Sequence, residues 1–256
     1  MTIIALNAFR DNYIWVIVNE EQHTITCVDP GDAAPVLSYA KANKLTLNNI
    51  LITHHHDDHA GGLAQLLQYY PDVSIYGPAD ARLPLIKTIV RDEDIVHINN
   101  LSFRVLSTPG HTASHLCYQE PTQGWLFCGD TLFSAGCGRV FDGSMASLHH
   151  TILLLKNLPQ DTKIYCGHEY TLDNLLFAAT VEPDNKTIQS YIKHLKESAM
   201  PCSLPSSIAL ERQINPFMRT NTPSIQAFAH REGLQSNDSL AIFTLLRERK
   251  NTFAPP

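Results

Sequence analysis

Four histidines and two aspartates fill the six consecutive positions 54–59 of the chain. Only 13 of the 256 residues are histidine, so chance placement does not account for this run. Neutral imidazole and carboxylate groups commonly act together as the ligands of a zinc, iron or manganese ion. The run follows the apolar segment 49–53, which predicts a strand, and precedes the segment 60–67, which predicts the start of a helix. The pattern therefore favours a metal-binding loop at the end of a strand over a solvated polar loop.

The order of residues in the run indicates which of them bind metal. If the backbone stays extended after Thr53, alternate side chains share one face. His55 and Asp57 then point away from that face, and the turn into the helix brings the last histidine back. The ligands predicted from this run are His54, His56, Asp58 and His59.

Three later segments repeat the pattern of an apolar run, a glycine and then a histidine or an aspartate. They end at His111, Asp130 and His168. Glycine permits a sharp turn beyond a strand, and open sheets place their sites at such ends. Each residue taken alone would be an ordinary surface residue, but together they complete two sites. The predicted division is His54, His56 and His111 on one metal, Asp58, His59 and His168 on the other, and Asp130 bridging both. His115, which begins an apolar segment, is predicted to be buried and not to be a ligand.

Residues 53–59 resemble the T-H-x-H-x-D-H signature of the metallo-β-lactamase superfamily, and the order of the later ligands fits it too. More closely, the chain resembles the glyoxalase II family of hydroxyacylglutathione hydrolases over nearly its whole length. One departure is Ser114, which stands where that family usually has the second glycine of P-G-H-T-x-G-H. The segments that carry the closer resemblance are 11–13, 129–133, 136–139, 166–171 and 210–217.

The resemblance implies a thioester hydrolase that cleaves S-(2-hydroxyacyl)glutathione, such as S-lactoylglutathione, to a 2-hydroxy acid and glutathione. This is the second step of methylglyoxal detoxification. It also implies two divalent metal ions, with zinc as first choice and iron or manganese as alternatives. A hydroxide that bridges two cations is a nucleophile at neutral pH, and Asp58 is expected to orient it as the catalytic carboxylate. The thiolate leaving group needs no strong general acid.

Two cations in the last predicted helix, Arg247 and Lys250, are three residues apart and share a face. The spacing alone is typical of a solvated helix surface. The resemblance implies instead that this pair binds a glutathione carboxylate, and that Arg139 and Tyr170 line the same substrate site.

An iron-dependent persulfide dioxygenase is the alternative from a different enzyme class, because its sequences resemble this chain around the histidine run. Those enzymes use one iron, and they lack the long helical C-terminal domain and the Cys-Gly-His-Glu-Tyr segment found here. Another hydrolase of the metallo-β-lactamase fold and a non-catalytic metal-binding module are further alternatives. A β-lactamase is disfavoured because Asp130 stands where zinc β-lactamases commonly have cysteine.

Short strands alternate with turn signals up to about residue 170, and helical apolar spacing dominates afterwards. We expect a metal-binding catalytic domain at 1–170 and a helical substrate-binding domain at 171–256. The first pattern suits two packed sheets with outer helices, and the resemblance implies the four-layer αβ/βα sandwich of the α/β class. The predicted strands are 13–18, 24–28, 50–53, 73–76, 102–106, 116–118, 125–128 and 163–166. The predicted helices are 34–43, 173–181, 185–198, 224–231 and 239–250.

Composition restricts the partners and the compartment. The net charge of −6 gives no footprint for nucleic acid, and no apolar run is long enough to span a membrane. The six cysteines show no C-x-x-C spacing and several lie in apolar strands, which predicts reduced thiols in the cytoplasm. The start of the chain lacks the features of a secretory signal. A glutathione thioester is the predicted partner, and the chain is expected to be a monomer.

Overall fold

The computed structural model describes residues 1–198 and 202–254, so residues 199–201 and 255–256 of the predicted helical domain lie outside the described residues. The chain divides into two compact units. The first unit comprises Met1–Thr108, Ser114–Gly129 and Tyr165–His168. The second unit comprises Pro109–Ala113, Asp130–Ile164 and Glu169–Pro256.

A mixed six-stranded sheet in the first unit pairs its strands in chain order. These strands are β1 (Thr2–Ala8), β2 (Asn12–Asn19), β3 (Thr24–Val28), β4 (Thr46–Leu51), β5 (Ser74–Gly77) and β6 (Thr88–Ile89). The pairs β1–β2 and β2–β3 are antiparallel, whereas β3 to β6 are parallel. Because parallel strands end at the same edge of a sheet, the segments that follow β3 and β4 lie side by side.

Helices of the first unit cover this sheet with an apolar core. They are α1 (Ala33–Asn43), α2 (Asp57–Ala60) and α3 (Leu63–Tyr69). Val36 of α1 and Leu66 of α3 are fully buried in one cluster with Ile25 and Ile50 of the sheet. Asp32 caps α1, since its side chain accepts a hydrogen bond from the backbone N–H of Ala34.

The second large sheet contains four antiparallel strands of the first unit. These are β7 (Ile95–Ile98), β8 (Leu101–Ser107), β9 (Leu116–Glu120) and β10 (Trp125–Gly129). In the second unit, β11 (Leu132–Phe133) and β12 (Gly136–Cys137) form a short hairpin. The strand β13 (Lys163–Cys166) lies next to β10 in the sheet order, and its first two residues pair with β14 (Ser206–Ser207) in the second unit.

Helices make up most of the second unit. They are α4 (Met145–Lys156), α5 (Thr171–Val181), α6 (Lys186–Glu197), α7 (Ile208–Ile214), α8 (Pro223–Arg231) and α9 (Ser239–Thr252), with a 3₁₀ turn at Pro216–Met218. Leu175, Ala178 and Ile188 are fully buried in the core between α5 and α6. None of the helices within the described ranges is long and apolar enough to cross a membrane.

The predicted helices after residue 171 are confirmed as α5, α6, α8 and α9. The prediction missed the helices α4 and α7, the strands β1 and β7, and the strands of only two residues. It also placed the strand at 50–53, whereas β4 begins at Thr46 and ends at Leu51. The reason is burial, because Thr46 and Asn48 are exposed and interrupt the apolar signal while the backbone is already in the sheet.

Candidate metal centre

The histidine run leaves the end of β4 and turns sharply into α2. His56 is extended (φ −62°, ψ 145°), and the helix begins at Asp57. The prediction that one extended face continues through Asp58 is therefore wrong beyond His56. A Cβ at Gly31 would lie 1.9 Å from the backbone oxygen of Asp58, so only glycine permits the close approach that accompanies this turn.

His54 and His56 lie together on one side of the run. The Nε2 atom of His54 is 3.1 Å from the Nδ1 atom of His56. The Nδ1 atom of His54 is 3.0 Å from the hydroxyl of Thr53, which leaves Nε2 directed at its neighbour. Two ring nitrogens this close either share a proton or face a common cation. The pair therefore offers Nε2 of His54 and Nδ1 of His56 as donor atoms.

Asp58, His59 and His168 form a second set in the first unit, and their donor atoms lie within 4.8 Å of one another. One oxygen of Asp58 is 3.5 Å from Nε2 of His59 and 3.3 Å from Nε2 of His168. The same oxygen accepts a hydrogen bond of 2.9 Å from the amide of Asn12. Both imidazoles are buried, but the Asp58 side chain is 40% exposed, so the carboxylate is accessible to a water molecule or a substrate.

The two histidines of this set are oriented by carboxylates that sequence reasoning missed. Nδ1 of His59 is 3.0 Å from Asp29, and Nδ1 of His168 is 2.8 Å from Asp11. A ring that gives its Nδ1 hydrogen to a carboxylate keeps the Nε2 lone pair for a metal. Asp29 follows β3 directly, and His54 comes three residues after the end of β4. This position just beyond a strand end was the signal that could have indicated Asp29. Asp11 lies in the turn before β2 and offered no comparable signal.

In the second unit, His111 and Asp130 are brought together. Nε2 of His111 is 3.7 Å from the Asp130 carboxylate, and both residues are buried. Nδ1 of His111 lies 2.8 Å from the backbone oxygen of Arg139, which fixes this ring in the same manner. A Cβ at Gly138 would lie 2.0 Å from the Asp130 backbone oxygen, so glycine is required for this packing.

His115 is fully buried, as predicted. Its Nδ1 atom is 3.0 Å from the hydroxyl of Thr108. Its ring stacks on that of His54, with centroids 4.9 Å apart and an interplanar angle of 25°. His115 therefore packs behind a candidate ligand.

Arg247 lies beneath the surface of the second unit with only 3% of its area exposed. Its guanidinium donates to the backbone oxygen of Cys137 at 2.6 Å and to the side chain of Asn251 at 3.0 Å. It also lies over the ring of Phe217, 5.3 Å from the centroid. Arg247 thus holds the end of β12 to α9.

Lys250 adjoins that buried charge. Its ammonium donates to the backbone oxygen of Asp173 and lies 5.3 Å from the centroid of the Phe253 ring. Burial is the main reason that the pKa of Lys250 is lowered to about 8; the positive charges of Arg247 and Arg139 act in the same direction, and Asp173 opposes them. Three cations therefore lie near one another in a protein of net charge −6, an arrangement that favours an anionic ligand.

Two further predicted substrate residues belong to the second unit. The side chain of Arg139 is exposed, while its backbone oxygen accepts from His111. Tyr170 is half-buried and makes an edge-to-face contact with Phe133, with centroids 5.1 Å apart.

The donor sets fit divalent metal ions. In the first unit the imidazoles of His59 and His168 lie near the Asp58 carboxylate, and in the second unit the imidazole of His111 lies near that of Asp130. The opposite nitrogen of each of these three rings is held by an acceptor. These are the atom types and the supporting contacts that zinc, iron and manganese sites use.

The chain is similar to known proteins over nearly its whole length. Residues 8–168 match the family model of the metallo-beta-lactamase superfamily, and residues 169–253 match the model of the hydroxyacylglutathione hydrolase C-terminus. The hydroxyacylglutathione hydrolase of Legionella pneumophila (strain Lens) is 49% identical over 253 residues, which cover 99% of this chain and 100% of that protein. The Shewanella oneidensis protein of the same name is 44% identical, with the same coverage of both chains.

A solved structure of ETHE1 from Myxococcus xanthus is also similar, with a TM-score of 0.70, 22% identity and coverage of 100% of this chain and 93% of that one. At this identity the likeness shows the fold alone. The predicted fold class, α/β with a C-terminal helical part, is thereby confirmed. With full-length identity near one half and both family models matched, this chain belongs to the hydroxyacylglutathione hydrolases of the metallo-β-lactamase superfamily.

Proposed function

We propose that this protein hydrolyses S-(2-hydroxyacyl)glutathione to a 2-hydroxy acid and glutathione, as the second step of methylglyoxal detoxification. The observation that carries the proposal is the match to proteins named hydroxyacylglutathione hydrolase over 99% of the chain. That match includes residues 169–253, which correspond to the C-terminal part specific to this family.

The proposed cofactors are two divalent metal ions, with zinc as first choice and iron or manganese as alternatives. The clustered donor atoms and the acceptors that fix the rings of His59, His111 and His168 support this proposal. The proposed ligands are His54, His56 and His111 for one ion, Asp58, His59 and His168 for the other, and Asp130 for both.

When bound, the metal ions would supply a nucleophilic water at neutral pH and polarise the thioester carbonyl. Asp58 is the proposed catalytic carboxylate, because its exposed side chain can accept a hydrogen bond from the attacking water and orient it. The amide of Asn12 donates to the same carboxylate and holds its orientation. The departing thiolate is a weak base, so no side chain has to protonate it.

The proposed substrate residues are cationic or aromatic groups of the second unit. Arg139 and Lys250 would pair with the carboxylates of glutathione, and Tyr170 would line the same region. Arg247 is proposed to add positive charge from beneath them, since it is buried and its Nε and Nη1 groups already donate to Asn251 and Cys137.

The compartment and the assembly state are part of the proposal. The six cysteines, all within the described residues, are not paired in disulfides, and this supports a reducing compartment such as the cytoplasm. We propose a monomer there, which sedimentation of the purified chain would check.

Hydrolysis of S-lactoylglutathione, measured together with elemental analysis of the purified protein, tests the proposal. We expect thioester hydrolysis with close to two metal ions per chain. One iron per chain with oxygen uptake on glutathione persulfide would instead support the persulfide dioxygenase alternative. Two metals without thioester hydrolysis would contradict the proposed substrate.

A further inference from the structure

Ser114 occupies the position where the family usually has glycine, and it takes part in a polar network of the first unit. Its φ is not positive, so the backbone there does not need glycine. Its hydroxyl donates to Asp80 at 2.6 Å. The network thus begins at a side chain that a glycine could not provide.

Asp80 is the centre of this network. Its carboxylate accepts hydrogen bonds from the guanidinium of Arg82 at 2.8 and 2.7 Å and from the Arg82 backbone N–H at 3.0 Å. The hydrogen bonds from Arg82 are the main reason that the pKa of the Asp80 carboxyl lies well below its ordinary range, and the bond from Ser114 acts in the same direction. The carboxylate is therefore a fixed negative charge with its own position held from two sides.

This charge faces the metal-binding run. The same Asp80 oxygen that accepts from Ser114 lies 3.7 Å from Nδ1 of His55. Nδ1 of His55 is buried, and no hydrogen-bonding partner for it lies within the described ranges. The Asp80 side chain is only 6% exposed and that of His55 12%, so both groups are largely shielded from solvent.

The segment that carries Ser114 also contacts the run at a second place. The next residue, His115, stacks on His54. His54 thus packs against the ring of His115, and His55 lies near the carboxylate of Asp80.

A Ser-His-Asp nucleophile is a different reading of these residues, and the hydrogen bonds exclude it. In such a triad the histidine accepts the serine hydrogen, and the carboxylate orients the histidine. Here the Ser114 hydroxyl donates directly to Asp80. Nothing in this order of contacts would activate the serine oxygen.

We propose that Asp80 is a positioning residue that fixes His55, and through it His54 and His56, in the geometry that binds metal. Ser114 is the side chain that keeps the Asp80 carboxylate turned towards His55. The proposal rests on the ligand set given under the proposed function. Carboxylates that orient metal-binding histidines typically change metal affinity by about 10- to 100-fold when they are removed.

The test is zinc competition against a chromophoric chelator, performed on the full-length chain. Asp80→Asn keeps the shape of the side chain and removes its charge, and we expect about tenfold weaker zinc binding. Ser114→Ala is expected to fall between the wild type and Asp80→Asn, because the bonds from Arg82 remain. Added zinc should restore the kcat of Asp80→Asn without a change in KM, which a general loss of stability would not produce.

Glu93→Gln is the control, since Glu93 also forms an ion pair with an arginine, Arg104, in the same unit, but at the surface. It should leave zinc affinity unchanged. The variant pair Asp80→Asn and His55→Gln completes a double-mutant cycle. If Asp80 acts through His55, the double variant binds zinc no more weakly than His55→Gln alone.

Wild-type zinc affinity in Asp80→Asn, or strictly additive losses in the cycle, would overturn the proposal. If Asp80→Asn does not fold, Ser114→Ala provides the test. Unchanged zinc affinity in Ser114→Ala would then overturn the proposal. If the wild type binds zinc but does not hydrolyse the thioester, the proposed function is contradicted. The double-mutant cycle would still test the role of Asp80 in that case. A wild-type chain that binds no metal would overturn both.

Discussion

At the scale of single residues, the orientation of three candidate ligands, His59, His111 and His168, depends on an acceptor that is not itself a candidate ligand. Asp29 accepts from His59 and also from the backbone N–H and hydroxyl of Thr53, at 2.8 and 2.7 Å. Asp29 is 3% exposed, so these bonds compensate the cost of burying its charge. One carboxylate therefore links the end of β3 to the end of β4 and sets the direction of an imidazole.

Lys250 gives a residue-scale prediction about pH. A lysine whose pKa is lowered to about 8 is protonated below that pH and neutral above it. If its charge binds a glutathione carboxylate, kcat/KM for S-lactoylglutathione falls as the pH rises through about 8, and the loss comes from KM. The measurement is the pH profile of kcat/KM, which reports groups of the free enzyme.

Lys250→Gln should show the weaker binding at every pH and lose this step in the profile. Lys193, exposed on α6, provides the control, because Lys193→Gln should retain it. An unchanged profile in Lys250→Gln would exclude this lysine from the substrate site.

At the scale of elements, short segments are held by side chains from elsewhere in the sequence. The hairpin of β11 and β12 is too short to be stable alone. Arg247 of α9 bonds to the last carbonyl of β12, and Asn215, after α7, donates to the backbone oxygen of Gly136 at 2.9 Å. The helices of the second unit therefore fix the segment that leads to Arg139.

Arg247→Lys tests this role of α9. Lysine lacks the planar fork that bonds to Cys137 and Asn251 together, so we expect the free energy of unfolding to fall by about 1–3 kcal/mol. KM should rise as well, because the hairpin end loses its anchor. Denaturant unfolding and steady-state kinetics measure the two effects.

Arg249 lies in the same helix and pairs with Glu232 at the surface. Arg249→Lys should change neither the unfolding free energy nor KM appreciably, since exposed ion pairs contribute little. Equal effects of the two substitutions would contradict a specific role for Arg247.

At the scale of the whole molecule, the candidate ligands span residues 54–168, and a bound ion stabilises the folded state by mass action. Zinc at about 100 times its Kd would add about 2.7 kcal/mol to the free energy of unfolding. Removal of metal with a chelator should therefore lower Tm and abolish hydrolysis, and zinc should restore both. An apo protein with unchanged Tm and full activity would contradict the metal-dependent function.

The sequence predicted the strands and helices with long apolar signals, and it predicted the candidate ligands from glycine-bounded strand ends. The prediction was wrong where contacts with distant residues, and not the local sequence pattern, determine the backbone conformation. The extended run was predicted to continue through Asp58, but Gly31 lets the chain pack closely and α2 begins at Asp57. Strand β4 was placed too late because polar residues form its exposed first part.

The residue types, their order and the chemistry they permit were determined by the sequence alone, because metal preference depends on the donor atoms and sequence motifs encode those atoms directly. Only the tertiary structure decided which acceptor holds each ring: Asp11 for His168, Asp29 for His59 and the backbone of Arg139 for His111. It also decided that Arg247 is buried and that Asp80 faces His55. The physical reason is that hydrogen bonds and burial depend on distances between residues far apart in the chain, and local spacing carries no record of those distances.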